Sequence, residues 1–473
     1  MTRTRLNVFR QATRLFVGLA LASSGVCATA DAQTWLPDRQ YKEGAGLRIG
    51  ELEIHPGIAL RGGYDNNVFR ADGKTRDGVT REKQGSAILA VTGHIQVSTE
   101  SEQRAKEGED RVSSTPTLRP VVFRGGFSAT YFKYFMDYGP SNVDLDTDLF
   151  LGIAPGRPVS LELSGGYVRS VRPFTQSLGK TEATSKAYVF DTIDPTIRVK
   201  FGSRSQVLTG QVGYTPRYTL FESKVFDFLS NFQHEITAGA GWKFLPSTAV
   251  VYDSQLSLQN YGRDANADVT PLLYSNNRAF KSRLGLNGAL TTNVSFRAMA
   301  GYALAAIKRP EFDDREDVIG DLALGYRFGA HETEFGYQRD VQASSIGGWF
   351  ETDRGYARLG MLFLRKIAVR LQGGVGHVKY GKMLRVVTSD TDAAGTAGTI
   401  AGLSADGSTK RSDVRADAAI RLEYRATNYL AFMADASWQA TITNFEYASF
   451  GALPPDPAAF SVLQVFGGVR AHY

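Results

Sequence analysis

Three aspartates spaced two apart, Asp144, Asp146 and Asp148, form the densest group of chemically capable side chains in the sequence. In an extended chain that spacing puts them on one face, roughly 7 Å apart, where like charges repel. Such a row can turn away anionic solutes or pair with guanidinium groups. It could also hold a hard cation, but the carbonyl-rich loop that such a site uses does not accompany it. A basic neighbour on the next strand is therefore expected. Glu162, Glu332 and Glu334 are further acidic candidates. Lys281, Arg283, Arg354, Arg358, Arg370, Arg415 and Arg421 are the basic ones, with Asp413 and Asp417 on the same alternate positions as Arg415 and Arg421. Opposed rows of this kind set up a transverse field across the space between them. Taken singly, each residue also reads as a side chain that only solvates a wet face.

Other chemistry is scarce. The six histidines (55, 94, 234, 331, 377 and 472) have no metal-ligand spacing. No Gly-x-Ser-x-Gly elbow and no phosphate-binding loop occurs. The single cysteine, Cys27, lies in the leader described next. The mature chain thus has no disulfide, thiolate metal site or catalytic thiol. We expect no enzyme, no cofactor and no metal. A net charge of +6 is too small to argue for nucleic acid.

The N-terminus reads as an export signal. Arg3, Arg5, Arg10 and Arg14 precede an apolar run from Leu15 to Ala22, and Ala30-Asp31-Ala32 supplies an A-x-A cleavage site before Gln33. Residues 1–32 are therefore expected to be removed. No later apolar run approaches the ~20 residues that a spanning helix requires. The mature chain is either a soluble exported protein or a transmembrane β-barrel.

The charged candidates must be positioned by strands. From Ser412 to Tyr424, Val414, Ala416, Ala418, Ile420, Leu422 and Tyr424 alternate with Asp413, Arg415, Asp417, Ala419, Arg421 and Glu423. From Val143 to Ile153 the same alternation sets Val143, Leu145, Leu149, Leu151 and Ile153 against the three aspartates. A helix would spread those charges around its surface, whereas a strand gathers them. About eighteen such segments run from residue 52 to the C-terminus. Short turns, such as 155–158, 202–205, 245–247, 291–293, 364–366 and 426–428, mostly alternate with longer connections, such as 65–85, 173–186, 262–277, 306–316, 381–410 and 442–457. Outer-membrane barrels alternate short periplasmic turns with long outer loops in this way. Residues 100–119 are long where a turn is due, and 137–142 are short where a loop is due. Trp242 with Phe244, Tyr326 with Phe328, and Trp438 lie near the ends of apolar faces, as girdle aromatics would. A soluble sandwich would use the same faces as a core, but eighteen strands make an unusually large one. The fold expected is all-β: a single antiparallel up-and-down transmembrane barrel over 51–473, after a short periplasmic segment at 33–50.

The last strand ends on an aromatic. Leu463, Val465, Gly467, Val469, Ala471 and Tyr473 share a face opposite Gln464, Gly468, Arg470 and His472. A terminal aromatic on an alternating strand resembles the signal read by the outer-membrane barrel assembly machinery, so Tyr473 is its candidate. The first strand runs into Tyr64-Asp65-Asn66-Asn67-Val68-Phe69. This looks like the opening motif of the beta-barrel porin 2 type, an outer-membrane porin family associated with exopolysaccharide export. The resemblance implies an eighteen-stranded barrel, integral to the outer membrane of a Gram-negative bacterium, through which a secreted polysaccharide crosses. It also implies a periplasmic polysaccharide-export partner. The residues themselves read more simply as a loop opener, with Asp65 and Asn66 bonding to the local backbone.

Three functions follow from these expectations: a passive conduit for an exopolysaccharide, a diffusion porin for small hydrophilic nutrients, and a structural or adhesive barrel. An inward-folded constriction with opposed charge rows would favour the second. Loop 381–410 is rich in Gly, Ala, Thr and Ser and low in charge. It reads as an inward gate or, as such composition favours, a mobile surface loop.

Overall fold

A computed structural model of the chain describes residues 46–76, 79–80, 82–99, 120–136, 142–170, 189–203, 207–222, 230–261, 276–344, 348–387, 399–447 and 456–473. The expected leader and the stretch 100–119 lie outside these residues.

Eighteen wall strands follow one another around a closed antiparallel barrel. The first nine are β1 (Leu52–Asp65), β2 (Ser86–Ser98), β3 (Val121–Tyr134), β4 (Asn142–Ile153), β5 (Val159–Ser170), β6 (Phe190–Ile193 and Thr196–Gly202), β7 (Leu208–Phe221), β8 (Asn231–Leu245) and β9 (Thr248–Tyr261). The others are β10 (Asn277–Ala289), β11 (Val294–Ile307), β12 (Arg315–Phe328), β13 (His331–Ala343), β14 (Trp349–Phe363), β15 (Ile367–Tyr380), β16 (Ser412–Arg425), β17 (Leu430–Ile442) and β18 (Phe460–His472). Closure comes from β1, which pairs with β2 on one edge and with β18 on the other, from Gly57↔His472 to Asp65↔Gln464. Closure removes the unpaired edges that lipid could not satisfy.

Strand β6 is split. The alternating pattern continues through 187–201, but Pro195 has no N–H to give the ladder. Both halves still bridge β5 and β7. Leu47–Ile49 adds a short strand on the start of β1, turned at Gly50, where φ is +59°. Both ends of the barrel chain and the short turns share one rim, the periplasmic one by the convention of such barrels. On the opposite rim, small hairpins stand in three longer loops: Thr75–Arg76 with Val79–Thr80, Leu384–Val387 with Thr399–Gly402, and Glu446–Tyr447 with Asp456–Pro457.

The apolar side chains point outward, because a barrel of this width cannot fill its centre with them. Leu284, Leu322, Phe335 and Val375 are all more than half exposed. On β12 the exposed row runs Val318, Leu322, Leu324, Tyr326 and Phe328. At ~3.3 Å per residue and ~40° of tilt it rises about 25 Å, the height of an outer-membrane apolar band. Aromatics gather at its lower edge: Trp242 and Phe244 have ring centroids 5.9 Å apart, Tyr326 and Phe328 5.7 Å, and Tyr429 and Tyr473 5.6 Å. Tyr218, Tyr302, Tyr337 and Trp438 are exposed toward the upper edge. A closed barrel with this belt is an integral outer-membrane protein.

Candidate functional site

The register assigns every polar candidate to a face. Because directly paired residues project to the same side, the pairs Asp253↔Arg283, Glu334↔Arg358, Arg370↔Arg421 and Asp417↔Gly374 lie opposite the exposed apolar belt. The same parity puts Asp144, Asp146, Asp148, Glu162, Lys281, Arg354, Asp413 and Arg415 on the inner wall. With strands ~4.8 Å apart and tilted ~40°, the backbone cylinder is about 36 Å across.

Most of these charges are cross-linked into the wall. Glu162 takes Lys200 Nζ at 2.5 Å and Arg198 at 3.4 Å. Arg283 donates two hydrogen bonds to Asp253, at 3.0 and 2.8 Å. Arg297 meets Asp321 at 2.6 Å, and Arg358 meets Glu334 at 3.2 Å. Arg354 reaches across β15 to Asp417 on β16, with both oxygens at 2.8 Å. The strand it crosses carries Gly374 at that point, and a Cβ there would lie 2.6 Å from Arg354 Nη2. Glycine is what lets the guanidinium lie flat on the wall. Asp253, Arg297, Asp321, Arg198 and Lys200 complete these pairs without standing out as candidates in the sequence. Their two-residue parity was the available signal.

The register faces the aspartate row with Thr130, Ser128 and Gly126 on β3, and with Val168 and Gly166 on β5; Arg124 is the basic residue on the same inner face of β3, diagonal to Asp148. Asp148 is exposed on the inner wall, whereas Asp144 is buried. One expectation needs correction: Asp413 and Arg415 do not stand free in the lumen. Asp413 is fully buried and bonded by Arg411 at 3.0 and 2.8 Å. Arg415 donates to the Tyr380 hydroxyl, and Arg411 stacks on the Tyr380 ring at 4.5 Å. This buried cluster anchors the outer ends of β15 and β16.

Loop 381–410 belongs to that anchor. Met383 and Leu403 are buried, Leu384 packs with Ile307 and Phe312, and Arg411 lies 5.4 Å from the Phe445 ring. The described ends of the loop are thus packed into the outer mouth; residues 388–398 lie outside the described ones.

The wall turns inward at one place that the sequence did not mark. Pairing between β12 and β13 stops at Gly320↔Arg339, yet β12 continues on β11 to Arg315 and β13 continues on β14 to Ala343. Val341 has the parity of the exposed Phe335 and Tyr337, but it is only 1% exposed. It packs with Ile319, Ala303 and Ala305, which belong to the inner wall. An outer-face side chain can cover inner-wall residues only if its hairpin lies inside the barrel. Lys281 Nζ on β10 also reaches Asp340 on β13 at 2.6 Å, although two strands stand between them in the sheet.

The Tyr64–Phe69 motif is a closure device. Asp65 accepts the Asn67 N–H at 2.8 Å and the Gln464 amide at 2.7 Å. Asn66 Oδ1 accepts the Leu463 N–H at 2.8 Å. Asn67 is fully buried and bonds Ala71 N–H and C=O as well as Ser461 C=O. Val68 is buried, Phe69 is half-buried, and Tyr64 faces outward at the upper belt edge.

Among the described residues no group of acidic, histidine or cysteine side chains could hold a metal ion, and no helix is long and apolar enough to cross a membrane. No family model and no curated protein matches the chain. Solved structures similar to it are outer-membrane proteins. The outer membrane protein OpdK of Pseudomonas aeruginosa is 11% identical, with 89% of this chain and 99% of that chain covered and a TM-score of 0.43. The siderophore receptor PirA of the same organism is 8% identical, with 89% and 80% covered and a TM-score of 0.40. A bacterial polysaccharide outer membrane secretin is 10% identical, with 89% and 98% covered and a TM-score of 0.34. Likeness at this level carries no functional argument.

Proposed function

We propose that the protein is a passive outer-membrane channel for small hydrophilic solutes. The observation that carries this reading is the inner wall: charged side chains such as Asp148 and Arg421 remain exposed on it, inside a cylinder about 36 Å across. Water must fill that space, since no apolar core could coexist with it. Cross-linked pairs such as Arg283–Asp253 and Arg354–Asp417 offset each other along the polar wall, which suits solutes of either sign. The hairpin lying inside the barrel narrows the passage, which supports small solutes over polymers.

A second reading, export of an exopolysaccharide, draws on the likeness of the Tyr64–Phe69 segment to the beta-barrel porin 2 type. In that reading polymer growth or a periplasmic export partner drives transport, since no nucleotide is available at the outer membrane. No catalytic step is proposed in either.

A clean deletion separates the two. Slower entry of small solutes with normal surface polymer supports the channel for solutes. Loss of surface polymer with intact solute entry overturns it and supports export.

A further inference from the structure

We propose that Arg421 binds oxyanionic solutes on the inner wall, taking the carboxylate or phosphate of a molecule that passes through the barrel. The proposal rests on the channel reading above.

The wall residues at this level form one belt across the ladder. Glu332, Gly360, Arg370, Arg421 and Asp435 stand directly opposite one another in turn, from β13 to β17. All share the inner face. Two cations, Arg370 and Arg421, are therefore side by side, which destabilises a sheet unless something answers the charge. The two acids of the belt are drawn away from Arg421. Asp435 lies 3.8 Å from Arg61 Nη1, two strands away on β1. Gly468, on the intervening β18, leaves room for that reach: a Cβ there would lie 2.8 Å from Arg61 Cγ. Glu332 lies over Gly360, where a Cβ would sit 3.0 Å from its Cγ, and so leans to the Arg370 side of the belt. Arg421 is left exposed, with no ion pair and no side-chain hydrogen bond among the described residues. It stands near the periplasmic end of β16, about 10 Å above the rim.

The groups beside it can donate. One step toward the outer mouth, ~7 Å along the strands, the same face carries Gln372, Ala419 and Ser437, again directly opposite one another. The side chains of Gln372 and Ser437 have no hydrogen bond among the described residues. Ala419 between them is small, so a ligand can lie on it. A guanidinium below, an amide on one side and a hydroxyl on the other thus face one small space. No acid of the wall is committed to it. Such a set of donors suits a negatively charged acceptor. The planar guanidinium matches two oxygens of a carboxylate or phosphate and holds them with parallel bonds. Elsewhere on the wall Arg283, Arg297, Arg354 and Arg358 each turn that fork on an acid of the wall itself. At Arg421 the fork is left for the solute.

The test measures entry of labelled malonate, and of arabinose as a neutral solute, into proteoliposomes carrying the purified barrel. Wild-type malonate entry should saturate, whereas arabinose entry should rise in proportion to concentration. Arg421→Gln should slow malonate entry about tenfold at low concentration, as the loss of one charged hydrogen-bonding partner implies, and remove the saturation. Its arabinose entry should match the wild type, which also shows the variant folded and open. Arg421→Lys keeps the charge but not the fork, so its malonate entry should stay well below wild type. Should Arg421→Gln fail to assemble, Arg421→Lys carries the same comparison. Competition by unlabelled acetate assigns the site to carboxylates, competition by inorganic phosphate assigns it to phosphates, and competition by neither overturns the proposal. Malonate entry equal to wild type in either variant also overturns it. Failure of the wild type to admit arabinose overturns the channel reading itself, and this proposal with it.

Discussion

Asn67 and Ser461, 394 residues apart in the chain, are joined by a hydrogen bond of 2.9 Å from Asn67 Nδ2 to the Ser461 carbonyl. The bond ties the outer end of the first wall strand to the start of the last. The same amide satisfies both the N–H and the C=O of Ala71, in a site that water does not reach. Replacing Asn67 by Ala would leave these buried groups unpaired, at about 1–3 kcal/mol for each. We expect Asn67→Ala to lower the temperature at which the barrel loses its compact form in SDS. Asn66→Ala, which loses only an exposed bond from the Leu463 N–H, should do so less. Equal melting of all three proteins would show that closure does not depend on the motif.

Compact migration is itself a prediction. An eighteen-strand barrel with a continuous antiparallel ladder should resist SDS unheated and run faster than after boiling. Migration unaffected by heat would count against closure in solution.

Tyr473 separates two roles that its position allows. Its ring stacks on Tyr429 at the periplasmic belt edge, and its N–H bonds to the Pro56 carbonyl at 3.0 Å. If it is mainly an assembly signal, Tyr473→Ala should lower the amount of barrel in the membrane, while the molecules that do fold melt as the wild type does. A reduced melting temperature at normal yield would assign it to packing instead.

How much of this was legible depended on period and on partners. Alternation alone placed the strands, because inner and outer faces differ in polarity at nearly every step. The split of β6 could also have been read, from Pro195. What alternation cannot show is who stands across the ladder. Asp144, Asp146 and Asp148 were readable as a row, but Gly126 and Ser128 as their neighbours were not. Asp413 and Arg415 looked like free lumen charges until Arg411, one residue outside the alternating segment, was seen to bury them. The inward hairpin left no trace in the sequence, since Asp340, Val341 and Gln342 alternate like any wall strand. Its departure comes from which strand edges separate, a tertiary choice.

The Arg354–Asp417 pair offers a direct reading of how wall charges act on passing ions. The two groups neutralise each other across Gly374, on the inner wall. Arg354→Ala leaves the carboxylate unopposed, so the channel should become more cation-preferring. Asp417→Asn leaves the guanidinium unopposed and should shift preference toward anions. Reversal potentials measured across a salt gradient should therefore move in opposite directions, and the double variant should return close to the wild type. Gly374→Val tests the geometry without altering charge: its branched side chain would occupy the space of the guanidinium, pushing Arg354 off Asp417 and into the passage. The reversal potential should then move less than in either charge variant, while unitary conductance falls. Shifts of the same sign for Arg354→Ala and Asp417→Asn would mean that these residues affect conduction by reshaping the wall and not through its field. High salt gives the final control, since screening at 1 M, where the Debye length is about 3 Å, should flatten the charge effects but leave the steric effect of Gly374→Val in place.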